Sequence, residues 1–248
     1  LKITTRRNFV KGLSLTDRFL IERRRKWSVL DYLNLSYRVG DWEFFVNGTV
    51  NHNNSVAKGL TTNTLVYDGK ETIVGAPAQQ QPTTTGVIKG GFNYSHGPQS
   101  FGAYYRYNPE HGDFNNTGSE WLDHNPAISS IIDKHVRAHS HLASLYYENT
   151  FAGKYRLHFD GDFRRSDESN SVATTYPASS NPAVNSTDDR TSTLWAGKLY
   201  LNFPLGKGDF TVGTQDSYTH TSLDYRMLNH AVSEYFSYTH LTLPTTSR

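Results

Sequence analysis

The sequence predicts an all-β chain of antiparallel up-and-down strands, and three observations carry that prediction. Apolar and polar residues alternate with period 2 in segments of roughly 10–14 residues, longer than the mode of about 5–6 for strands of globular domains. Two kinds of connection, short and long, separate these segments and strictly alternate. Aromatic residues are abundant, with 16 Tyr, 13 Phe and 4 Trp in 248 residues, while the mean hydropathy is −0.62. Disordered chains are poor in aromatics, and a globular core draws more on Leu, Ile, Val and Met. Strands that are apolar on one face and polar on the other reconcile the two numbers.

The elements follow in order. A first strand is expected from Phe9 to Leu20, ending at the basic turn Arg23-Arg24-Arg25-Lys26. Trp27 to Val39 is the second, with Leu33, Leu35, Tyr37 and Val39 alternating with Asn34, Ser36 and Arg38. Gly40-Asp41 supplies a tight hairpin turn. The third strand puts Trp42, Phe44, Val46, Gly48 and Val50 on one face and Glu43, Phe45, Asn47, Thr49 and Asn51 on the other. Ile88, Gly90, Phe92 and Tyr94 repeat the pattern before a turn at Ser95-His96-Gly97-Pro98, and Phe101, Ala103, Tyr105 and Tyr107 follow it. Leu142 to Thr150 leads to a turn at Ala152-Gly153-Lys154. Tyr155, Leu157, Phe159, Gly161 and Phe163 then oppose Arg156, His158, Asp160, Asp162 and Arg164. Leu199, Leu201 and Phe203 reach Gly206-Lys207-Gly208, and Phe210 and Val212 open the last clear strand. About nine strands are expected in all.

The connections are informative in themselves. Short turns fall near 40, 97, 153 and 207, and long polar connections are expected at about Asn53–Thr85, Asn108–Lys134 and Asp167–Arg190. In an up-and-down sheet, alternate turns share an end. Short turns at one end and long loops at the other is the asymmetry of a bacterial outer-membrane barrel, with short periplasmic turns and long extracellular loops. Crossing a bilayer at a barrel's tilt takes about 9–11 residues. Trp42, Phe44, Phe101, Tyr155 and Phe210 follow the short turns, where an interfacial aromatic girdle belongs. The predicted fold is therefore a partial transmembrane β-barrel. No stretch is apolar enough for a membrane-spanning helix, and barrel strands give no such signal. Cysteine is absent, which excludes disulfides and thiolate metal sites, and the net charge of +2 gives no field that would recruit nucleic acid.

Leu1-Lys2-Ile3-Thr4-Thr5-Arg6-Arg7 resembles the strand that ends the plug domain of TonB-dependent receptors. Leu33–Phe45 and Tyr155–Arg164 resemble the outer-membrane β-barrel family common in Bacteroidetes-type bacteria. The resemblance covers residues 1–236 and implies the end of a plug at 1–8 and a partial barrel at 9–236. It further implies a location in the outer membrane of a Gram-negative cell, a TonB complex as partner through the plug, and import of a small ligand, with a surface lipoprotein as a further candidate partner. Barrels of such transporters have about 22 strands, so further strands are expected. Counting strands outward from the plug puts Gly40-Asp41 on the periplasmic side, the side that short turns should occupy. The stretch from Ser237 to Thr245 resembles a translated sequencing adapter, so residues 237–248 are expected to be an artefact.

Several residues are candidates for ligand contact. Arg156, His158, Asp160, Asp162 and Arg164 share one strand face and would line a polar lumen. Asp160 and Asp162 with Arg164-Arg165 would form an ion-pair ladder between adjacent strands. Trp121 and Asp123, with His124 and Asp133, would belong to an extracellular ligand-gathering loop. His139 and His141, with His158, Asp160 and Asp162, are the weak candidates for a metal site, since imidazole and carboxylate bind first-row metals; a polar wall needs no metal, and no cofactor is expected. Arg23–Lys26 could face anionic lipopolysaccharide. No hydrolase, P-loop, dinucleotide or zinc-protease motif occurs, so the chain is not read as an enzyme. The expected function is active import through a TonB-dependent receptor. A passive or structural outer-membrane barrel is the alternative, and a secreted carbohydrate-binding β-sandwich the second. The ligand itself is not legible.

Overall fold

The computed structural model describes residues 11–23, 26–59, 72–122, 128–177, 179–180, 182–229 and 235–238. Nine long strands run in sequence: β1 (Gly12–Arg23), β2 (Trp27–Val39), β3 (Trp42–Lys58), β4 (Thr72–His96), β5 (Gln99–Leu122), β6 (Ile128–Phe151), β7 (Tyr155–Thr175), β8 (Val184–Leu205) and β9 (Gly208–Asn229). A four-residue β10 (Tyr235–Tyr238) follows. All ten form one sheet in chain order, each antiparallel to the next, and the sheet does not close. The all-β up-and-down class read from the sequence is thus the observed one, as a partial barrel. Ser237 and Tyr238, the first residues of the adapter-like tail, pair with Arg226 and Tyr225 of β9. The plug-like residues 1–8 and residues 239–248 lie outside the described residues.

All four short turns fall where the sequence puts them. Gly40, Gly97 and Gly206 each open a two-residue hairpin with φ of 57°, 53° and 64°, the position at which type II′ hairpins take glycine. The third turn has three residues, with Ala152 and Gly153 at φ 49° and 66° and Lys154 N–H bonded to the Phe151 carbonyl at 3.0 Å.

The long connections are a correction. Most of Asn53–Thr85, Asn108–Lys134 and Asp167–Arg190 is strand: β4 to β9 have 21 to 25 residues each. The hairpins simply continue past the expected strand ends. Their residues are Thr, Asn, Gln, Ser and charged groups on both faces, so the ladder persists while the period-2 signal vanishes. Pro77, Pro82 and Pro109 each sit at a break in the β4–β5 ladder. The register shifts between Gly75 and Ala78 around Pro77, and pairing lapses at Pro82 and opposite Pro109. Proline donates no N–H to a ladder.

The register also gives the tilt. One row of cross-strand partners runs Trp42, Tyr94, Phe101, Tyr147, Phe159, Leu199, Thr214. Trp42 adjoins its turn, whereas Thr214 lies well up its strand from Gly206-Lys207. Successive turns therefore slip by about one residue per strand, and about 3.3 Å of slip per 4.8 Å of strand spacing is a tilt of about 35°. Barrel walls tilt by 35–45°.

Because partners lie directly opposite, each strand contributes alternate residues to two common faces. Among the described residues, every large exposed hydrophobic side chain except Leu20, Tyr32 and Ile128 stands on one of them. That apolar face includes Leu35, Phe44, Val46, Ile88, Leu145, Trp195 and Val212. Val136 is the only buried hydrophobic residue described, and it lies on the other, polar face. The polar face is the crowded one: a Cβ on Gly102 would sit 2.6 Å from the Tyr146 ring, and one on Gly213 2.5 Å from Tyr200 Cβ. Side chains converge in this way on the inside of a curling sheet.

The apolar zone has a sharp upper edge. Measured up each strand from its short turn, it ends at His52, His111, His141, Arg165, Thr193 and His220. It is about ten residues deep, or roughly 27 Å at 3.3 Å per residue and a 35° tilt. Aromatics mark both borders: Tyr37, Trp42, Tyr94, Phe101 and Tyr155 near the turns, and Tyr107, Trp195 and Tyr218 toward the upper edge. Trp42, Phe44, Phe92, Tyr94 and Phe101 form one cluster of ring contacts with centroids 4.8–6.3 Å apart. Asp17, Asp31 and Asp216 interrupt the zone on strands near its flanks; they have no physical account here.

Candidate functional site

The polar face is lined in two tiers and a third group that spans their heights. Nearest the short turns, Arg38 and Glu43 flank Gly40-Asp41 as register partners and pair at 2.6 Å. The other Glu43 oxygen accepts from Asn93 Nδ2 at 3.2 Å, and the Tyr146 hydroxyl donates to Asn93 Oδ1 at 3.2 Å. Tyr146 is on β6 and Asn93 on β4, so this bond passes over β5. Gly102 makes the passage possible, because a Cβ there would meet Tyr146 Cε1 at 2.6 Å and Asn93 Oδ1 at 2.7 Å. Arg38, Glu43, Asn93 and Tyr146 line, with Lys11, a cavity of about 630 Å³.

Midway, the Lys89 ammonium stands 4.0 Å from the Tyr104 ring centroid and 5.4 Å from that of Phe45, a cation held between two π faces.

A third group begins beside the short turn of β7, climbs that strand, and holds the residues predicted from the sequence. Arg156 binds Glu148 of β6 at 2.6 Å. His158 Nε2 lies 2.6 Å from Asp160, and its Nδ1 lies 3.5 Å from Glu148. The ring stacks on Tyr200 with centroids 4.6 Å apart, and Lys198 stands 5.2 Å from that tyrosine ring. Asp160 and Asp162 share a smaller cavity, about 340 Å³, with Tyr104, Ser144, Lys198 and Gln215. Arg164 shares this face and is exposed.

The structure brings together some predicted residues and separates others. Arg156, His158, Asp160, Asp162 and Arg164 do share the polar face. The Asp160–Asp162–Arg164–Arg165 ladder does not form as drawn: Arg165 points to the opposite face and binds Asp167 at 3.1 Å. His139 and His141 also lie on the opposite face, opposed to Asp167 and Arg165. They cannot share a metal ion with His158, Asp160 and Asp162. Among the described residues, no group of three or more His, Asp or Glu could hold a metal. Trp121 lies near the end of β5, its backbone paired with Ile73, and Asp123 and His124 lie outside the described residues. Asp133 is in β6 and accepts from Asn115 at 2.5 Å. Of the basic turn, Arg24 and Arg25 lie outside the described residues, and Arg23 stands 5.1 Å over Trp27.

Sequence reasoning missed the Arg38–Glu43–Asn93–Tyr146 network, Lys89, Glu148 and Tyr200. A two-residue turn at Gly40-Asp41 was enough to pair Arg38 with Glu43. The others needed the register of non-adjacent strands.

Beyond the apolar zone, the outward face carries its own ion pairs. Asp113 accepts from His135 at 2.6 Å and lies 3.1 Å from His111. The His135 hydrogen bond, helped by the two imidazole charges, holds its carboxyl below the usual range. Asp167 is lowered likewise, first by the hydrogen bond from Arg165, then by those from Thr191 and the charges of Arg165 and His139.

Chemically, the polar face offers donors, acceptors, both signs of charge and aromatic faces in succession. Comparison with protein-family models, curated proteins and solved structures finds no match to this chain.

Proposed function

We propose that this chain forms part of the wall of an outer-membrane transport barrel, with the apolar face in lipid and the polar face lining the lumen. One observation carries the reading: a single tilted sheet displays an apolar zone about as deep as a barrel's membrane band of roughly 25 Å, with nothing packed on it among the described residues. Burying one Leu, Val or Phe side chain is worth about 1.5–3 kcal/mol, and this face forgoes that gain many times over unless lipid covers it. A β-sandwich would need a second sheet against this face, and the described strands form only one.

The lumenal tiers support a transport role. Alternating charge and aromatic faces give weak successive contacts, favourable enough for entry and weak enough for release. Coupling to TonB rests on the resemblance of Leu1–Arg7, and with it the reading of active import of a nutrient. A passive barrel is the competing account.

The test is uptake by cells carrying the gene. Active import predicts that the protein fractionates with the outer membrane and that uptake of its nutrient stops when TonB is deleted. Permeation of small solutes that persists without TonB would replace the receptor reading with a passive barrel. Recovery of the protein from cells without detergent would overturn both.

A further inference from the structure

The apolar face is not uniform. Across β4 to β7, Gly90, Ala103, Ala143 and Gly161 form a low path between taller side chains. Tyr105, Phe163 and Trp195 wall one side, and Phe92, Leu145 and Phe159 the other. The resulting groove is almost wholly apolar and encloses about 780 Å³. Phe163 and Trp195 hold their wall together, with ring centroids 4.3 Å apart. Spanning four to five strands at about 4.8 Å each, the groove is roughly 19 Å long.

Its upper wall leads directly to a polar cap. The Tyr105 hydroxyl hydrogen-bonds His141 Nδ1 at 2.5 Å. His141 lies two residues from Ala143 on the same face, and Tyr107 and His139 pack around it with ring centroids 5.0 and 5.5 Å away. Arg165 is the register partner of His141 and is 55% exposed. Its guanidinium binds Asp167 through Nε and Nη2 and has further donors. Imidazole and guanidinium donors therefore border the groove at the level where the apolar zone meets water.

We propose that this groove and cap bind one lipid of the outer leaflet, an acyl chain in the groove and its phosphorylated headgroup at His141 and Arg165. The inference rests on the membrane reading above and adds a specific occupant to it. The groove's length suits an extended acyl chain, and its floor of small residues admits one closer to the sheet than bulk lipid. Among anions, guanidinium favours phosphate through planar, paired donors. A second protein would need an interface of at least about 1,000 Å², for which a narrow channel beneath aromatic walls is poorly shaped.

The experiment purifies the protein from outer membranes in detergent, exchanges it through an excess of neutral alkyl-glycoside detergent, and quantifies retained lipid by mass spectrometry. Phosphorylated lipid should remain at about one per protein. Ala143→Phe, which fills the groove with a side chain suited to a lipid-facing surface, should lower retention about tenfold. His141→Gln with Arg165→Gln should leave an acyl chain bound but abolish preference for phosphorylated over neutral lipid on re-addition. Equal retention in wild type and Ala143→Phe, or no retained lipid, would overturn the lipid site while leaving the barrel intact. A preference unchanged in the double variant would overturn the headgroup assignment. Failure of the wild-type protein to fractionate with membranes at all would sink the barrel reading instead.

Discussion

The lower and upper halves of the same strands obey different rules. Near the short turns, β3 alternates Trp42, Phe44, Val46 and Val50 with Glu43, Asn47 and Asn51. Above His52 the same strand reads Asn53-Asn54-Ser55, polar on both faces, yet it pairs with β4 as regularly as before. The backbone ladder is indifferent to the change, because its hydrogen bonds are internal to the sheet. On the proposed membrane reading, what changes is the solvent that each face meets: a lower half with unlike faces would separate two media, and an upper half with like faces would stand in one.

The comparison breaks most visibly with a charge. Val46 and Val56 are on one strand and one face, Val46 within the apolar zone and Val56 above it. Val46→Arg should destabilise the barrel in lipid vesicles by about 2–4 kcal/mol, the cost of a basic residue near a bilayer midplane. Val56→Arg should cost less than about 0.5 kcal/mol, as on an ordinary exposed surface. Urea midpoints of the two variants provide the reading, and equal losses would remove the distinction between the halves.

Crowding on the polar face gives the next effect. Gly102→Ala places a methyl 2.6 Å from the Tyr146 ring and 2.7 Å from the Phe92 carbonyl. Overpacking of this kind costs about 1–3 kcal/mol, whereas Gly197→Ala, with nothing within 4 Å of its Cβ, should be nearly silent. Denaturation of both variants in the same vesicles checks this pair. Glu43→Gln should cost less, about 1 kcal/mol, through weakened hydrogen bonding to Arg38 and Asn93. It should also shift single-channel conductance if the lowest tier lines an ion path.

The smallest effect lies in the upper half and depends on pH. Asp113 titrates below its ordinary 3.8, chiefly through the His135 hydrogen bond. A carboxyl depressed on folding contributes stability above its unfolded value, and that contribution disappears as pH falls through the folded value. Amide exchange in the β5–β6 extension should therefore be pH-independent from this source above about pH 5 and accelerate below the ordinary carboxylate range. Asp113→Asn should remove that acid step, and exchange that accelerates equally in the variant would assign it elsewhere.

What was legible in the sequence follows the same division. From β2 onward the lower halves were read nearly residue for residue, because apolar and polar residues alternate there with period 2 and the tight turns demand glycine at 40, 97 and 206; the first strand, expected at Phe9–Leu20, instead runs to Arg23, which pairs with Trp27. The upper halves were read as long polar connections, because Thr, Asn and Gln on both faces carry no period. That His158, Asp160 and Asp162 share one face was legible from alternation within β7 alone. That His139 and His141 face the other way depended on the three-residue turn at Ala152–Lys154, since a loop one residue shorter or longer reverses the pairing parity. Tyr146 reaching Asn93 over Gly102 was beyond any single-strand reading.

The central claim is that the apolar face of the lower half meets lipid. The chain contains no cysteine, so single cysteines can be placed along β3 from 42 to 56, labelled with a fluorophore, and quenched by lipids carrying a nitroxide on the acyl chain. The account predicts strong quenching at 44, 46, 48 and 50, weak quenching at 45, 47 and 49, and none at 54 or 56. Quenching that fails to alternate, or that is absent throughout, would contradict it.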